Sequence, residues 1–228
     1  ASDNGPVGLI SSTPYAGVYY PWGLGSNLDG NSVYVPPSLS ALRTIAFNDQ
    51  VAYPWFAPAG FNRGLVTGIS SVGYLNSAGD YVPVTLSQGQ RDVLYTNRIN
   101  PIAYIPGRGL VVYGQKTLNP VSTALDRVNV ARLINYLKYQ LDQLAKPFLF
   151  EPNDQITRNS IQAACTSLMI DLVAKRGIYD YLVVCDESNN TPSRIDRNEL
   201  WVDVAIEPVK AAEFIYIPIR LVNTGTLH

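Results

Sequence analysis

A chain of 228 residues with 46% hydrophobic content can bury one large core or two small ones, and it is not a disordered tract. Seventeen Lys and Arg against eighteen Asp and Glu give a formal net charge of −1. That balance lacks the concentrated positive charge that binding to nucleic acid or to an anionic membrane requires. Two cysteines, Cys165 and Cys185, are too few for a disulfide framework, and the single histidine is His228, so neither a zinc site nor a cofactor is expected.

The chain begins Ala1-Ser2-Asp3, without Met and inside a Gly/Pro-rich stretch, which reads as a piece of a longer protein. No signal peptide and no run of eighteen apolar residues is visible, so no membrane insertion is expected. Residues 1–96 are loop-rich. Residues 16–20 read as a short strand. Ser38, behind Pro36-Pro37, is a candidate N-cap for a helix whose Leu39, Leu42, Ile45 and Ala46 recur at helical spacing. Ala57-Pro58-Ala59-Gly60 is a turn. Residues 68–75 form a candidate strand closed by the turn formers 76–80, and Ser87 caps a short helix running to about Tyr95.

From about residue 97 the pattern is more regular. Residues 101–105 and 110–113 read as strands around the turn Pro106-Gly107-Arg108-Gly109. A long helix spans about 126–145, with Val130, Leu133, Ile134, Leu137, Leu141 and Leu144 stepping by three and four, and Pro147 ends it. A second helix starts at Asn153 or Asp154 and carries Ile161, Cys165, Leu168 and Leu172. Lys175 and Arg176 sit at its dipole-favoured end, and Gly177 suits a left-handed C-cap. Residues 179–185, 200–207 and 213–221 read as strands. In the last, Phe214, Tyr216 and Pro218 alternate against Ile215, Ile217 and Ile219, and Pro218 argues for a sheet edge. The expected class is α+β: a mixed β-sheet with two long helices packed on one face, preceded by a loop-rich α/β segment. The division falls into residues 1–96 and 97–228.

Candidate chemistry is sparse. Gly107-Arg108-Gly109 lacks the third glycine and the Lys-Ser/Thr pair of a phosphate loop and reads as a hairpin turn. Asp186-Glu187, at the end of a strand, has the residue types for a divalent ion or for acid–base work. The turn formers Ser188-Asn189-Asn190-Thr191-Pro192 that follow favour a solvated rim. Asp203 and Glu207 fall on the solvent face of one strand. Glu151-Pro152-Asn153-Asp154 is explained as a helix cap. A serine nucleophile has no histidine base, and no SxxK occurs. The chain therefore reads as a non-enzyme. Charged residues make up only 15%, while Tyr is present in 15 copies, which suits either a Tyr-rich core or a Tyr-rich contact surface.

Several short blocks, in order, resemble contractile-tail bacteriophage sheath proteins. They are Tyr20-Pro21-Trp22, Val35-Pro36-Pro37-Ser38, Asn100-Pro101-Ile102, Pro106-Gly107-Arg108-Gly109, Tyr113-Gly114-Gln115-Lys116-Thr117-Leu118, Val128-Asn129-Val130-Ala131-Arg132-Leu133 and Phe150-Glu151-Pro152-Asn153-Asp154. Cys185-Asp186-Glu187 with Asn190-Thr191, and Glu207-Pro208-Val209 with Ala212-Glu213-Phe214-Ile215, complete the series. The resemblance implies the C-terminal half of a sheath subunit, with residues 97–228 as the inner domain on the tail tube and 1–96 as the end of the neighbouring domain. It implies self-assembly into a helical array, with tail tube, baseplate and tail terminator proteins as partners, in a virion assembled in the host cytoplasm. On that view Phe214, Ile215, Tyr216, Ile217 and Ile219 are candidates for an inter-subunit strand. Arg127, Arg132, Lys138, Lys146, Arg158, Lys175 and Arg176, on or beside the two helices, are candidates to face the tube. The alternatives are the sheath of a bacteriocin or secretion system, and a tail-associated hydrolase or carbohydrate-binding module using Asp186 and Glu187.

Overall fold

Strand-forming segments in this chain are short and divided by Gly- and Asn-rich turns, so most of them pair with a close neighbour in sequence. The structure, a computed structural model, describes residues 13–217. In chain order its first part holds β1 (Val18–Tyr20), β2 (Trp22–Ser26), β3 (Ser32–Val35), α1 (Pro37–Val51), α2 (Gly60–Arg63), β4 (Ser71–Leu75), β5 (Tyr81–Pro83) and α3 (Gln88–Thr96). The second part holds β6 (Ile99–Ile105), β7 (Gly109–Val112), α4 (Val128–Ala145), α5 (Gln155–Ala174), β8 (Ile178–Val184), α6 (Pro192–Ile195) and β9 (Asp203–Pro208).

Asn27 and Asn76 build two of the hairpin turns in the same way. Each side-chain carbonyl accepts the backbone N–H groups two and four residues on, and a glycine with positive φ closes each turn. The β2–β3 and β4–β5 hairpins join into one antiparallel sheet of order β3-β2-β4-β5. The β6–β7 hairpin, with Gly107 and Gly109 both at positive φ, instead receives β1 as a parallel partner along β6. The third sheet is the antiparallel pair β8–β9.

The α+β class holds, but the strands after residue 97 do not share one sheet. β6 and β7 pair with β1, while β8 and β9 pair only with each other among the described residues. The two long helices do pack together over β8–β9. Leu133 and Leu137 of α4, Ile161, Cys165, Met169 and Leu172 of α5, and Ile178 and Val183 of β8 form one buried cluster. Trp55, from the loop after α1, enters this cluster. Its indole N–H donates to the Lys175 carbonyl at 3.0 Å, and its ring stacks on Tyr53 at 4.9 Å. A smaller cluster of Val66, Val72, Ile102, Leu110 and Val112 joins the other two sheets.

Four local expectations change. Helix α1 turns its Ser40, Ala41, Thr44 and Asn48 side inward and leaves Leu39 and Leu42 exposed. Thr44 donates to the Ser40 carbonyl and the Asn48 amide nitrogen to the Tyr53 carbonyl, while the Asn48 Oδ1 is buried without a hydrogen-bond partner; the small residues allow close approach. The cap of α1 is Pro36 with Pro37 at the first position, not Ser38, because a proline there has no N–H to satisfy. At the end of α5, Arg176 takes the left-handed conformation (φ 60°). Gly177 follows it and donates to the Leu172 carbonyl at 2.8 Å. A Cβ at 177 would lie 3.2 Å from the Trp55 indole, so the packed indole would have to give by a few tenths of an ångström. Finally, residues 213–217 form no strand within the described chain, and Pro218 and Ile219 lie outside the described residues. By contrast, Ser87 caps α3 with a full capping box and Asp154 caps α5, as expected.

Gly177→Ala should destabilise the chain by about 1–3 kcal/mol in urea unfolding, the usual cost of overpacking a filled core. Gly89→Ala, in helix α3 with nothing within 4 Å of the added methyl, should raise stability by about 0.5–1 kcal/mol.

Candidate assembly site

The segment after β9 is tied down at one charge. Val209 donates to the Gly177 carbonyl at 3.1 Å, and the chain then runs on to Glu213. Both carboxylate oxygens of Glu213 accept from Arg127, Oε1 from Nε at 2.6 Å and Oε2 from Nη2 at 3.0 Å, while Gln115 Nε2 adds a bond at 3.3 Å. The pair is half-buried, with the Arg127 side chain 26% and the Glu213 side chain 17% exposed. Asp126 lies 2.8 Å from the third guanidinium nitrogen as an ion pair, without the alignment of a hydrogen bond.

Arg127 is placed by the loop between β7 and α4. Asn100, fully buried in β6, uses its side chain as a strand uses its backbone. Its Oδ1 accepts the Lys116 N–H at 2.6 Å, and its Nδ2 donates to the Lys116 carbonyl at 2.8 Å. Lys116 in turn bridges to Arg127, the N-cap residue of α4, and Gln115 accepts the Val128 N–H at 2.7 Å. Gly114 must be glycine because a Cβ there would meet Asn100 Oδ1 and the Tyr95 ring, both at 2.9 Å. Tyr95 lies among these charges, with Lys116 Nζ 4.2 Å from its ring centre. Burial, and then the Glu213 carboxylate beside it, push its hydroxyl well above the usual tyrosine value. Burial, and then Arg127, push the Lys116 ammonium below its usual value.

Beyond this anchor the character of the segment changes. Phe214, Ile215, Tyr216 and Ile217 are 66%, 80%, 87% and 78% exposed. They run past an open groove of about 290 Å³ whose walls include Ala57, Phe61, Pro101 and Tyr113. Four consecutive large apolar side chains in water are an interaction surface or a liability. In addition, β8–β9 is a two-stranded sheet with no third strand among the described residues, and Tyr179 and Leu182 stand exposed on it.

The candidate cations separate into two groups. Arg127 is spent on Glu213 and Asp126. Arg132 is spent on Asp49 (2.6 Å) and the Pro54 carbonyl (3.0 Å). Arg158, buried, is spent on Asn153 and Gln155. Lys146 and Lys175 form surface pairs with Asp142 and Asp171. Lys138 is exposed with only the Tyr15 hydroxyl at 3.1 Å, and exposed Arg176 has no partner among the described residues. The acidic loop is held by internal bonds as well. Asp186 accepts from the Ser188 N–H and hydroxyl, which holds it below the usual carboxylate range. Asp203 accepts from Asn189 at 2.8 Å. Asn190, almost fully buried, bonds Trp201 through both its amide oxygen and nitrogen. No group of three or more His, Cys, Asp and Glu is placed to hold a metal ion among the described residues. Glu213 was the residue missed as an anchor; its signal was a lone charge inside an apolar run.

A double-mutant cycle with Arg127→Gln and Glu213→Gln, read by chemical unfolding, should give a coupling energy of about 1–2 kcal/mol, above the range of exposed pairs.

Comparison with known proteins agrees with this architecture. Residues 121–221 match the family model described as the phage tail sheath C-terminal domain. The chain is 40% identical over 193 residues to the tail sheath protein of Vibrio phage KVP40, covering 85% of this chain and 27% of that one. It is 36% identical over 210 residues to the tail sheath protein of Enterobacteria phage T4, covering 87% of this chain and 30% of that one. This chain thus spans less than a third of these curated relatives. The PVC sheath complex of an extracellular contractile injection system, solved in its contracted state, is 26% identical with a TM-score of 0.78, covering 92% of this chain and 57% of that one. Residues 121–221 are therefore similar to the phage tail sheath C-terminal domain, and the chain is similar over most of its length to part of the contractile tail sheath proteins.

Proposed function

We propose that this chain is part of a structural subunit of a contractile phage tail sheath, which assembles helically with copies of itself around a tail tube and contracts to drive the tube through the host envelope. The observation that carries the reading is the exposed apolar run Phe214–Ile217, fixed at its root by Glu213 and Arg127, in a chain whose β8–β9 pair has no third strand among the described residues. An extended segment of one copy adding to the sheet edge of the next is a heterologous contact, and such contacts generate open helical arrays. Backbone ladders hold the two copies together while each subunit body is free to rotate. Phe214, Ile215, Tyr216, Ile217 and, beyond the described residues, Ile219 belong to that inter-subunit strand.

Residues 97–228 form the inner domain on the tube, and residues 1–96 end the neighbouring domain. Lys138 and Arg176 are the strongest candidates to meet an acidic tube surface, with Lys146 and Lys175 beside them, while Arg127, Arg132 and Arg158 hold the domain in shape. Baseplate and terminator proteins close the two ends of the array. The subunit is a virion component, assembled in the host cytoplasm, and its role is structural. The sheath of a related contractile injection system is the second reading, favoured by the likeness to the extracellular system, and it uses the same contacts.

In the full-length subunit, Ile215→Pro combined with Ile217→Pro removes two N–H donors from the segment. Electron microscopy should then show no tubes, while circular dichroism stays unchanged. Tubes of ordinary diameter would overturn the strand role. Lys138→Glu with Arg176→Glu should weaken attachment to purified tube severalfold at about 0.15 M salt, where surface charges are only partly screened. Attachment equal to that of the unsubstituted subunit would remove these residues from the tube face.

A further inference from the structure

Beside the Arg127 anchor lies another cavity, of about 260 Å³, with an almost wholly polar wall. It opens between the end of α3, the 116–122 loop and the start of α4, and the assembly reading makes no use of it. Arg98 and Lys116 reach it from two different elements. Arg98 sits at φ 61°, a left-handed conformation uncommon for a long side chain. Its Nη2 donates to the Pro120 carbonyl at 2.9 Å, which leaves the rest of the guanidinium fork unbonded. Lys116 Nζ donates to the Tyr95 carbonyl at 2.9 Å and keeps two further donors.

Neither cation has a carboxylate partner among the described residues. The carboxylate on the cavity wall, Asp126, is bound to Arg127, and so is Glu213 behind it. Three cations thus share two carboxylates, and both go to Arg127. Burial and the positive charges of Arg127 and Arg98 hold the Lys116 ammonium down against the opposing pull of Glu213 and Asp126. An anion at the mouth would relieve that repulsion.

We infer that this cavity binds a small oxyanion of the carboxylate or phosphate class, with Arg98 and Lys116 as its charged ligands and the Ser122 hydroxyl as a neutral donor. A planar fork beside an ammonium suits two oxygens on one atom. A free phosphate ion and an acidic side chain of a second copy offer the same chemistry.

The test titrates inorganic phosphate, and separately acetate, into the chain at constant ionic strength in chloride, following backbone amide resonances. Saturable shifts confined to residues 96–98 and 116–122 are expected. Arg98→Gln should weaken them about tenfold or more, the size of one lost charge-assisted bond. Arg98→Lys should recover part of the affinity, which guards against a mere folding defect. No saturable shift, or one that Arg98→Gln leaves intact (an adventitious ion only), overturns the site. Assembly of the full-length subunit separates the sources. Competition by millimolar phosphate assigns the site to a neighbour's carboxylate, and assembly indifferent to phosphate assigns it to the free ion.

Discussion

Glu213 is the one charge between residues 211 and 217, and both of its oxygens are committed to Arg127. An ion pair of this depth is favourable only when its geometry offsets the loss of hydration. Here the fork is bidentate, Gln115 shares one oxygen, and the Asp126 carboxylate lies close to the remaining guanidinium nitrogen, which makes no hydrogen bond. Arg127 also begins α4, with extended backbone and a bridge to Lys116. The start of the long helix, the loop locked by Asn100 and the root of the apolar segment therefore meet at one guanidinium. Were it misplaced, the direction in which Phe214–Ile217 leaves the domain would be unspecified.

Local chemistry made much of the fold readable. The 76–80 turn, the Ser87 cap, the Asp154 cap and the apolar stripes of α4 and α5 are decided within a few residues, and each formed where its sequence placed it. Partner choice between distant segments was not readable. Nothing near residues 99–105 signals that β1, some eighty positions earlier, adds beside β6. The same limit explains residues 213–217. Alternation marks a segment that can present two faces, but it does not name the strand that pairs with it. Within the described chain none does.

Charge was harder to read than hydrophobicity. Arg127, Arg132 and Arg158 lie off the apolar stripes, which made them look like solvated surface, yet each folds back onto a carbonyl or carboxylate. The long arginine stem reaches acceptors that helical spacing does not register. Helix α1 errs in the opposite direction. Its leucines look like a core face, but the Thr44 hydroxyl and the Asn48 amide nitrogen donate to nearby carbonyls, which offsets part of the cost of burying them. Periodicity counts apolar residues and has no term for a polar group that carries its own partner.

These two errors have a common consequence. Charges turned inward and apolar groups left outside put large apolar side chains on the described surface. Leu39 and Leu42 on α1, Leu149 and the left-handed Phe150 before α5, and the 214–217 run are all exposed. Burying four such side chains contributes about 6–12 kcal/mol. Ordering their backbone and side chains offsets a large part of it. A single arm contact on the sheath reading is therefore modest. That is weak enough to yield when subunits rotate, and repetition along a helical array supplies the strength that one contact lacks.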